Sequence, residues 1–288
     1  MFVIVFWAAL LLVAYTYLIY PLLLWLLTAG RRRPDYALLD EWPCASLIIA
    51  AYNEEAVLRA KLENALALDY PVDKLDIVVV SDESTDGTDA IAAEFAARGV
   101  RVHRVPERGG KTAAQNIGVG LARGEVLVFT DANSMYAPDA LKRLLAPLAD
   151  DGIGCVCGEL QYADSDAGGV GKGEGTYWSY EQFLKQRESL LSSALGVNGA
   201  IYALRRELFE ELDSDIISDF IMPIRVWRHG YRVVYEPKAI ALESSGGSFH
   251  DEFRRRRRII SRSLYGLWTQ RGVLNPFAHF FFAFQMFS

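Results

Sequence analysis

Short apolar runs alternate with amphipathic segments through the first half of the chain. The apolar runs indicate buried strands at 45–51, 74–82, 100–105 and 125–131. The segments that follow them have helical spacing and predict helices at 54–68, 88–99, 111–124 and 137–148. This alternation predicts an α/β protein with a parallel sheet wound by right-handed crossovers.

Polar residues follow the predicted strands, at 52–54, 81–83, 107–111 and 131–133. Ligands of such sheets bind beyond the carboxyl ends of the strands, so these four segments form the candidate site. Because side chains two apart in a strand point the same way, we expect Asp131 and Asn133 to reach one ligand.

The second half of the chain has a less regular pattern. A Gly- and Asp-rich segment at 163–175 indicates a loop, and a helix is predicted at 176–195. Residues 197–208 favour a strand that turns into a short helix. Residues 217–237 favour a helix, a break at Gly230 and a strand.

Both ends of the chain are apolar. Residues 2–29 carry no charge, and 28 residues exceed the ~20 that cross a bilayer. Arg31 to Arg33 follow, so the positive-inside rule predicts that the rest of the chain is cytoplasmic. A cleaved signal peptide is the alternative, but no basic residue precedes the apolar run. The last 14 residues, 275–288, are too few to span; either an interfacial segment ends the protein or the chain continues, which we favour.

Composition and charge narrow the class. A formal net charge of -6 argues against a nucleic-acid binder. The three cysteines have neither disulfide nor zinc spacing, and Cys155 and Cys157 are expected in a reduced core. The segment "RGGKT" at 108–112 lacks the first glycine of a P-loop, and no G-x-G-x-x-G follows the first strand. Lys111 still stands at a helix start, where an anion is favoured.

Five separated motifs resemble one known family. "IIAAYNEEAVL", "VVSDESTDGT", "RGGKTAAQNIG", "LVFTDANS" and "ISDF" have the order and spacing of family 2 glycosyltransferases with a GT-A fold. The resemblance covers roughly 44–260, and the N-terminal anchor and the basic C-terminal segment resemble the membrane-anchored branch that includes polysaccharide synthases. It implies a GT-A type, mostly parallel sheet with flanking helices, after a transmembrane helix and before a basic amphipathic interfacial helix.

The resemblance also implies a domain division. We expect an anchor at 1–30, a linker at 31–43 and a glycosyltransferase domain at 44–250. Its first half, 44–135, would bind the nucleotide-sugar and its second half, 136–250, the acceptor. Residues 251–288 would form the basic interfacial helix and the start of a further membrane segment.

Donor-binding residues follow from the resemblance. Tyr52 and Glu54 would line the nucleotide pocket, Asp82 would accept a hydrogen bond from the base, and Lys111 would approach the nucleotide. The Asp131-Ala132-Asn133 stretch replaces the family's Asp-x-Asp, which holds the nucleotide-sugar and Mg²⁺ or Mn²⁺. Asp131 and Asn133 are therefore the candidate metal ligands. Asn133 brings an oxygen but no charge, and its alternative role is that of a turn residue.

The "ISDF" motif places a general base at Asp219, with Ser218 in place of the family's Glu. Such a base typically contributes ~10²–10⁴-fold to the rate. The alternative is that Asp219 caps the helix that follows.

The arginine run at 254–258 stands where processive synthases have Gln-x-x-Arg-Trp. Arg255 and Arg258 would match the Gln and the Arg, with Ile259 in place of the Trp, and would hold the departing diphosphate. A basic amphipathic helix on anionic lipid is the other interpretation, because Ile260, Leu264, Leu267 and Trp268 share a face.

The expected function is inverting transfer of a sugar from a nucleotide-sugar, with a UDP-sugar as the expected donor, to an acceptor hydroxyl. The acceptor would be a carbohydrate or a lipid-linked molecule, and the reaction would belong to cell-surface polysaccharide synthesis. The expected location is the inner (plasma) membrane, with the catalytic domain in the cytoplasm. Two alternatives stay open: transfer of one sugar to a polyprenyl phosphate carrier, and a non-catalytic nucleotide-binding subunit of a synthase complex. The second is motivated by Asn133 and Ser218, which replace acids.

Overall fold

The protein has eight strands and nine α-helices in the part of the chain that the structure describes. This computed structural model describes residues 2–162, 171–244 and 249–274 with Phe282 and Gln285; 171–178, 249–256 and 274 are described by their backbone alone. The strands are β1 (Ala45–Ala51), β2 (Leu75–Ser81), β3 (Val100–Arg104), β4 (Val126–Asp131), β5 (Met135–Tyr136), β6 (Ile153–Tyr162), β7 (Tyr202–Arg205) and β8 (Arg232–Glu243). The helices are α1 (Phe2–Ala14), α2 (Tyr20–Leu27), α3 (Leu58–Leu66), α4 (Thr88–Glu94), α5 (Lys111–Leu121), α6 (Ala140–Leu145), α7 (Gly171–Leu191), α8 (Ser218–Arg228) and α9 (Phe249–Thr269).

All eight strands form one sheet, in the order β3-β2-β1-β4-β7-β6-β8-β5. The four strands predicted in the first half pair in parallel, as expected, and β6 and β8 form a further parallel pair. Ala51 pairs with Ser81 and Ala50 with Asp131, so β1, β2 and β4 end at the same edge of the sheet. That edge is where the candidate site residues come together.

Apolar side chains cover both faces of the sheet. In β1, Leu47 and Ile49 belong to one buried cluster and Ile48 to the other, because successive side chains of a strand point to opposite faces. Strands buried on both faces read as continuous apolar runs, which is why the sequence revealed them.

The second half of the sheet adds strands that the sequence did not reveal. β6 has ten residues, and Gly154 and Gly158 interrupt the apolar pattern by which a strand is predicted. A Cβ on Gly158 would stand 2.6 Å from the Ala239 oxygen, so glycine is required where β8 approaches. β8 also runs to Glu243, beyond the predicted end at Pro237, because Pro237 falls in a ladder irregularity between the Glu236 and Ile240 pairings.

The predicted loop at 163–175 is wrong at its C-terminal end, where α7 begins at Gly171. Glycine costs about 1 kcal/mol in a helix, so the three glycines there favoured a loop. Extending a helix is easier than nucleating one, and the later residues of α7 supply the nucleus. Residues 163–170 lie outside the described residues.

The N-terminal helix meets the length and apolarity of a membrane span. Residues Phe2–Leu27 do so by length and composition alone, and a signal sequence passes the same test. Its second half docks on α7: Tyr20 donates to Glu188 at 2.7 Å, and Tyr180 donates to the Thr16 oxygen at 2.7 Å. The helix is therefore packed against the domain.

The linker is also held to the domain. Arg33 pairs with the buried Glu236, and Lys238 pairs with Asp35 at 2.6 Å. The stretch at 31–43 is thus a packed connection without regular secondary structure.

The C-terminal basic segment is helical, as expected. A Cβ on Gly266 would stand 2.7 Å from Ile221, so α9 approaches α8 closely. Ile260, Leu264 and Trp268 are exposed by 60%, 63% and 68%. Leu267, at the edge of the same helix face, is half-buried and packs against the buried cluster. Of the apolar segment at 275–288, only Phe282 and Gln285 are described.

Candidate active site

The loops that follow β1 and β2 are locked together. Asn53 and Glu83 adopt positive φ angles of 54° and 58°, which bend the chain sharply at the sheet edge. The Asn53 side chain accepts from the Thr85 amide at 2.8 Å, and the Glu54 amide donates to the Thr88 hydroxyl at 2.8 Å. These hydrogen bonds between the two loops fix the backbone from which Tyr52, Glu54 and Asp82 extend.

Asp82 is buried and holds the loop before α5. Its two carboxylate oxygens accept from the amides of Gly109 and Gly110, both at 2.8 Å. A carboxylate has about four acceptor positions, so these bonds leave capacity for a ligand. Hydrogen bonding to a nucleotide base stays a prediction.

Tyr52 and Glu54 lie at the same edge. The guanidinium of Arg108 stacks 3.7 Å from the centre of the Tyr52 ring, so the loop before α5 reaches the first strand end. Burial raises the pKa of Glu54, and the charges of Asp131 and Asp86 raise it further. Arg108 was not assigned a role from the sequence.

Lys111 lies between Asp131, the candidate metal ligand, and Asp219, the candidate general base. Its ammonium forms an ion pair with Asp131. A Cβ on Gly199 would stand 2.5 Å from Asp219 Oδ2 and 2.8 Å from Lys111 Nζ, so these two side chains meet over the glycine. Burial opposes the charged lysine, but Asp131 and then Asp219 outweigh it and raise the pKa of Lys111.

Asp219 lies in the first turn of α8, whose N-cap is Ile217. The capping interpretation of Asp219 is therefore wrong, because that position belongs to a residue outside the helix. Its neighbour Ser218 turns inward and donates to Gln115 at 2.5 Å. Asp219, half-buried, is directed to the edge where Lys111 lies.

The strand argument for Asp131 and Asn133 is wrong, because β4 ends at Asp131. Ala132 and Asn133 form a turn that the Ser134 amide closes on the Asp131 oxygen at 3.3 Å. Asp131 is half-buried and Asn133 exposed. Among the described residues no group of three or more His, Cys, Asp or Glu could hold a metal. One carboxylate and one amide still suit Mg²⁺ or Mn²⁺, which keep water and phosphate oxygens as ligands.

The predicted arginines are not brought to this cluster by any contact between described side chains. Arg258 is exposed on α9, and Arg255 belongs to the part of α9 that is described by its backbone alone. Their role towards a diphosphate stays a prediction.

Sequence reasoning missed Lys61. It lies on α3 among the buried residues Leu58, Leu62 and Ala65, and is only 1% exposed. A lysine at an apolar helical position was the available signal.

Polar side chains gathered at the carboxyl ends of the strands of an open α/β sheet mark a ligand-binding protein of the α/β class. The family model "Glycosyl transferase family 2" matches residues 46–213. The chain belongs to glycosyl transferase family 2, as the motifs indicated.

Named relatives and solved structures agree with this family. The chain is 29% identical over 255 residues to the probable glycosyltransferase YdaM of Bacillus subtilis (strain 168), covering 84% of this chain and 59% of that protein. It is 28% identical over 172 residues to a beta-monoglucosyldiacylglycerol synthase of Nostoc sp., covering 58% and 37%. The chain thus spans little more than half the length of YdaM.

The fold is similar to that of the mannosyltransferase PcManGT from Pyrobaculum calidifontis, solved with GDP-Man and Mn²⁺. The TM-score is 0.71 and the identity 28%, covering 86% of this chain and 71% of that one. Glucosyl-3-phosphoglycerate synthase from Mycobacterium tuberculosis shares the fold with a TM-score of 0.56 at 21% identity. The predicted GT-A type fold is confirmed.

Proposed function

We propose that this protein is a membrane-anchored, inverting glycosyltransferase that moves a sugar from a nucleotide-sugar to an acceptor hydroxyl. The observation that carries the proposal is the meeting of Asp131, Lys111 and Asp219 at one sheet edge. A non-catalytic nucleotide-binding subunit would have no need of the second acid. Asn133 and Ser218, which replace family acids, leave Asp131 and Asp219 in place.

Asp219 would take the proton of the acceptor hydroxyl as it attacks the anomeric carbon. The attacking oxygen forms the new glycosidic bond while the bond to the diphosphate breaks on the opposite face. One such displacement inverts the anomeric configuration. Lys111, held as an ammonium by its raised pKa, would neutralise phosphate charge near the reacting carbon.

A divalent cation belongs to the proposal because PcManGT was solved with Mn²⁺. Asp131 and Asn133 would hold it, and a bound Mg²⁺ or Mn²⁺ would neutralise the departing diphosphate. Tyr52, Glu54 and Asp82 would contact the nucleotide. We propose a UDP-sugar, with a GDP-sugar as the second candidate because PcManGT holds GDP-Man.

The location we propose is the inner (plasma) membrane, with the catalytic domain cytoplasmic. α1 has 13 residues, none of them buried, and a helix of that length covers ~20 Å of a ~30 Å hydrocarbon core. The span would therefore include part of the helix that docks on α7, which places α7 at the membrane surface. The exposed face formed by Ile260, Leu264 and Trp268 would contact lipid.

The acceptor would be a carbohydrate or a lipid-linked molecule in the formation of cell-surface polysaccharide. Transfer of one sugar to a membrane lipid is the second candidate, since a monoglucosyldiacylglycerol synthase is a relative. Subunits of a synthase complex are further proposed partners.

A product assay tests the proposal. The protein in detergent would receive UDP- and GDP-sugars, Mn²⁺ or Mg²⁺ and membrane lipid extract, with EDTA as the control. We expect release of nucleoside diphosphate and a glycosylated product, both abolished by EDTA. Donor binding without release in the presence of the extract would contradict an enzymatic role, and product length separates polymer from single transfer.

A further inference from the structure

A buried lysine holds the turn that carries the candidate metal ligands. Lys61 Nζ donates to the Thr130 hydroxyl at 2.8 Å and to the backbone oxygen of Ser134. It also lies 4.4 Å from the centre of the Tyr136 ring. An ammonium has three donor hydrogens, and these three neighbours account for them.

The two hydrogen bonds flank the Asp131-Ala132-Asn133 stretch on both sides. Thr130 is the next-to-last residue of β4 and Ser134 follows the turn, and both are buried. One nitrogen atom therefore fixes the separation of the two ends of the turn. Ser134 is also held from the other side, because its hydroxyl donates to Glu243 at the end of β8.

A buried lysine is costly unless a specific arrangement compensates for it. Burial lowers the pKa of Lys61 to about 7, while the negative charges of Asp131 and Glu243 oppose that shift. Among the described ion pairs, Asp131 is instead paired with Lys111. Lys61 thus acts on the turn through its two hydrogen bonds and through the attraction between its charge and those of Asp131 and Glu243.

We propose that Lys61 is a positioning residue that sets the geometry of the Asp131–Asn133 turn for a divalent cation. The inference rests on the proposed function, since the cation belongs to it. Partners that orient metal ligands typically change affinity 10–100-fold when removed, and we expect this range for Lys61→Met. Methionine matches the length of the side chain but donates no hydrogen bond.

The experiment measures Mn²⁺ binding by the full chain in detergent, from the loss of the free-ion EPR signal, with UDP or GDP present. Lys61→Met should weaken binding 10–100-fold, and Thr130→Val, which removes one of the two acceptors, should weaken it less. Asn64→Leu is the matched control. Asn64 lies on the same helix and bonds to the Tyr136 backbone at 2.8 and 2.9 Å, beyond the turn.

The control separates positioning from folding. Asn64→Leu should lower Tm while leaving Mn²⁺ affinity within about threefold of wild type. Its hydrogen bonds hold the Tyr136 backbone, beyond the turn, and substitutions at separate sites act nearly independently. Equal Mn²⁺ affinity in wild type, Lys61→Met and Thr130→Val would overturn the Lys61 inference alone. Failure of wild type to bind Mn²⁺ with either nucleotide would overturn the metal site of the proposed function and this inference with it.

Discussion

Among single residues, Lys111 has the central place in the site, because its ammonium offsets the negative charges of Asp131 and Asp219. Its side chain is 39% exposed and that of Asp131 29%, so both are reachable by a ligand. A motif search finds Lys111, Asp131 and Asp219 separately, because each stands in a recognisable stretch of sequence. The sequence could not show that Gly199 lies against two of them, since this depends on the return of the chain into β7.

Substituting Gly199 tests that close approach. In Gly199→Ala the added methyl group would lie 2.5 Å from Asp219 Oδ2 and 2.8 Å from Lys111 Nζ, so both side chains must move. We expect kcat to fall roughly 10²-fold or more, as for misplacement of a reacting group, with little change in Tm. Steady-state kinetics and thermal unfolding check this.

Gly196→Ala is the matched control in the same loop. Its nearest neighbour would be a Phe220 carbon at 3.9 Å, which is ordinary contact. Unchanged kcat in both variants would contradict the proposed arrangement of Asp219 and Lys111.

Helix α5 shows how elements position the site. Lys111 is its first residue, and the helix packs closely on β1 through Gly118, where a Cβ would stand 2.5 Å from Ile48. The amphipathic pattern predicted this helix, and the apolar runs predicted the strands beside it. Both patterns are visible because these segments bury their apolar residues in the core around the sheet. β6 escaped prediction because Gly154 and Gly158 are there for close packing, and their partners are distant in sequence.

Two glycines of α5 should respond oppositely to alanine. Gly118→Ala should lower the free energy of unfolding by about 1–3 kcal/mol through overpacking against Ile48. Gly120 is exposed with nothing within 4 Å of its Cβ position, so Gly120→Ala should raise it by about 0.5–1 kcal/mol. Denaturant titration measures both, and the same sign for the two would refute the packing described for α5.

At the scale of the whole molecule, the N-terminal helix, which is long and apolar enough to cross a membrane, docks on α7. Hydrophobicity alone predicted the helix at 2–29. It could not predict the docking, because Tyr20 meets Glu188 only when α7 has folded. Arg31 strengthens the junction by donating to the Leu190 oxygen at 3.1 Å.

The junction should make stability depend on pH. Burial raises the pKa of Glu188 from 4.5 to about 7. Its contribution is therefore fully present below about pH 4.5 and is lost as the pH rises through about 7. Glu188→Gln, which keeps an acceptor for Tyr20, should have a Tm a few degrees above wild type at pH 8 and close to it at pH 5. A Tm difference that is the same at both pH values would argue against a buried, protonated Glu188.

The general-base role of Asp219 is tested by comparing Asp219→Asn with Asp213→Asn. Asp213 is an exposed acid six residues earlier in the chain, which makes it the matched control. With the donor identified, kcat for transfer and Kd for the donor would be measured for wild type and both variants. The general-base role predicts that Asp219→Asn lowers kcat ~10²–10⁴-fold with Kd little changed, while Asp213→Asn behaves like wild type. Full transfer activity in Asp219→Asn would contradict the account.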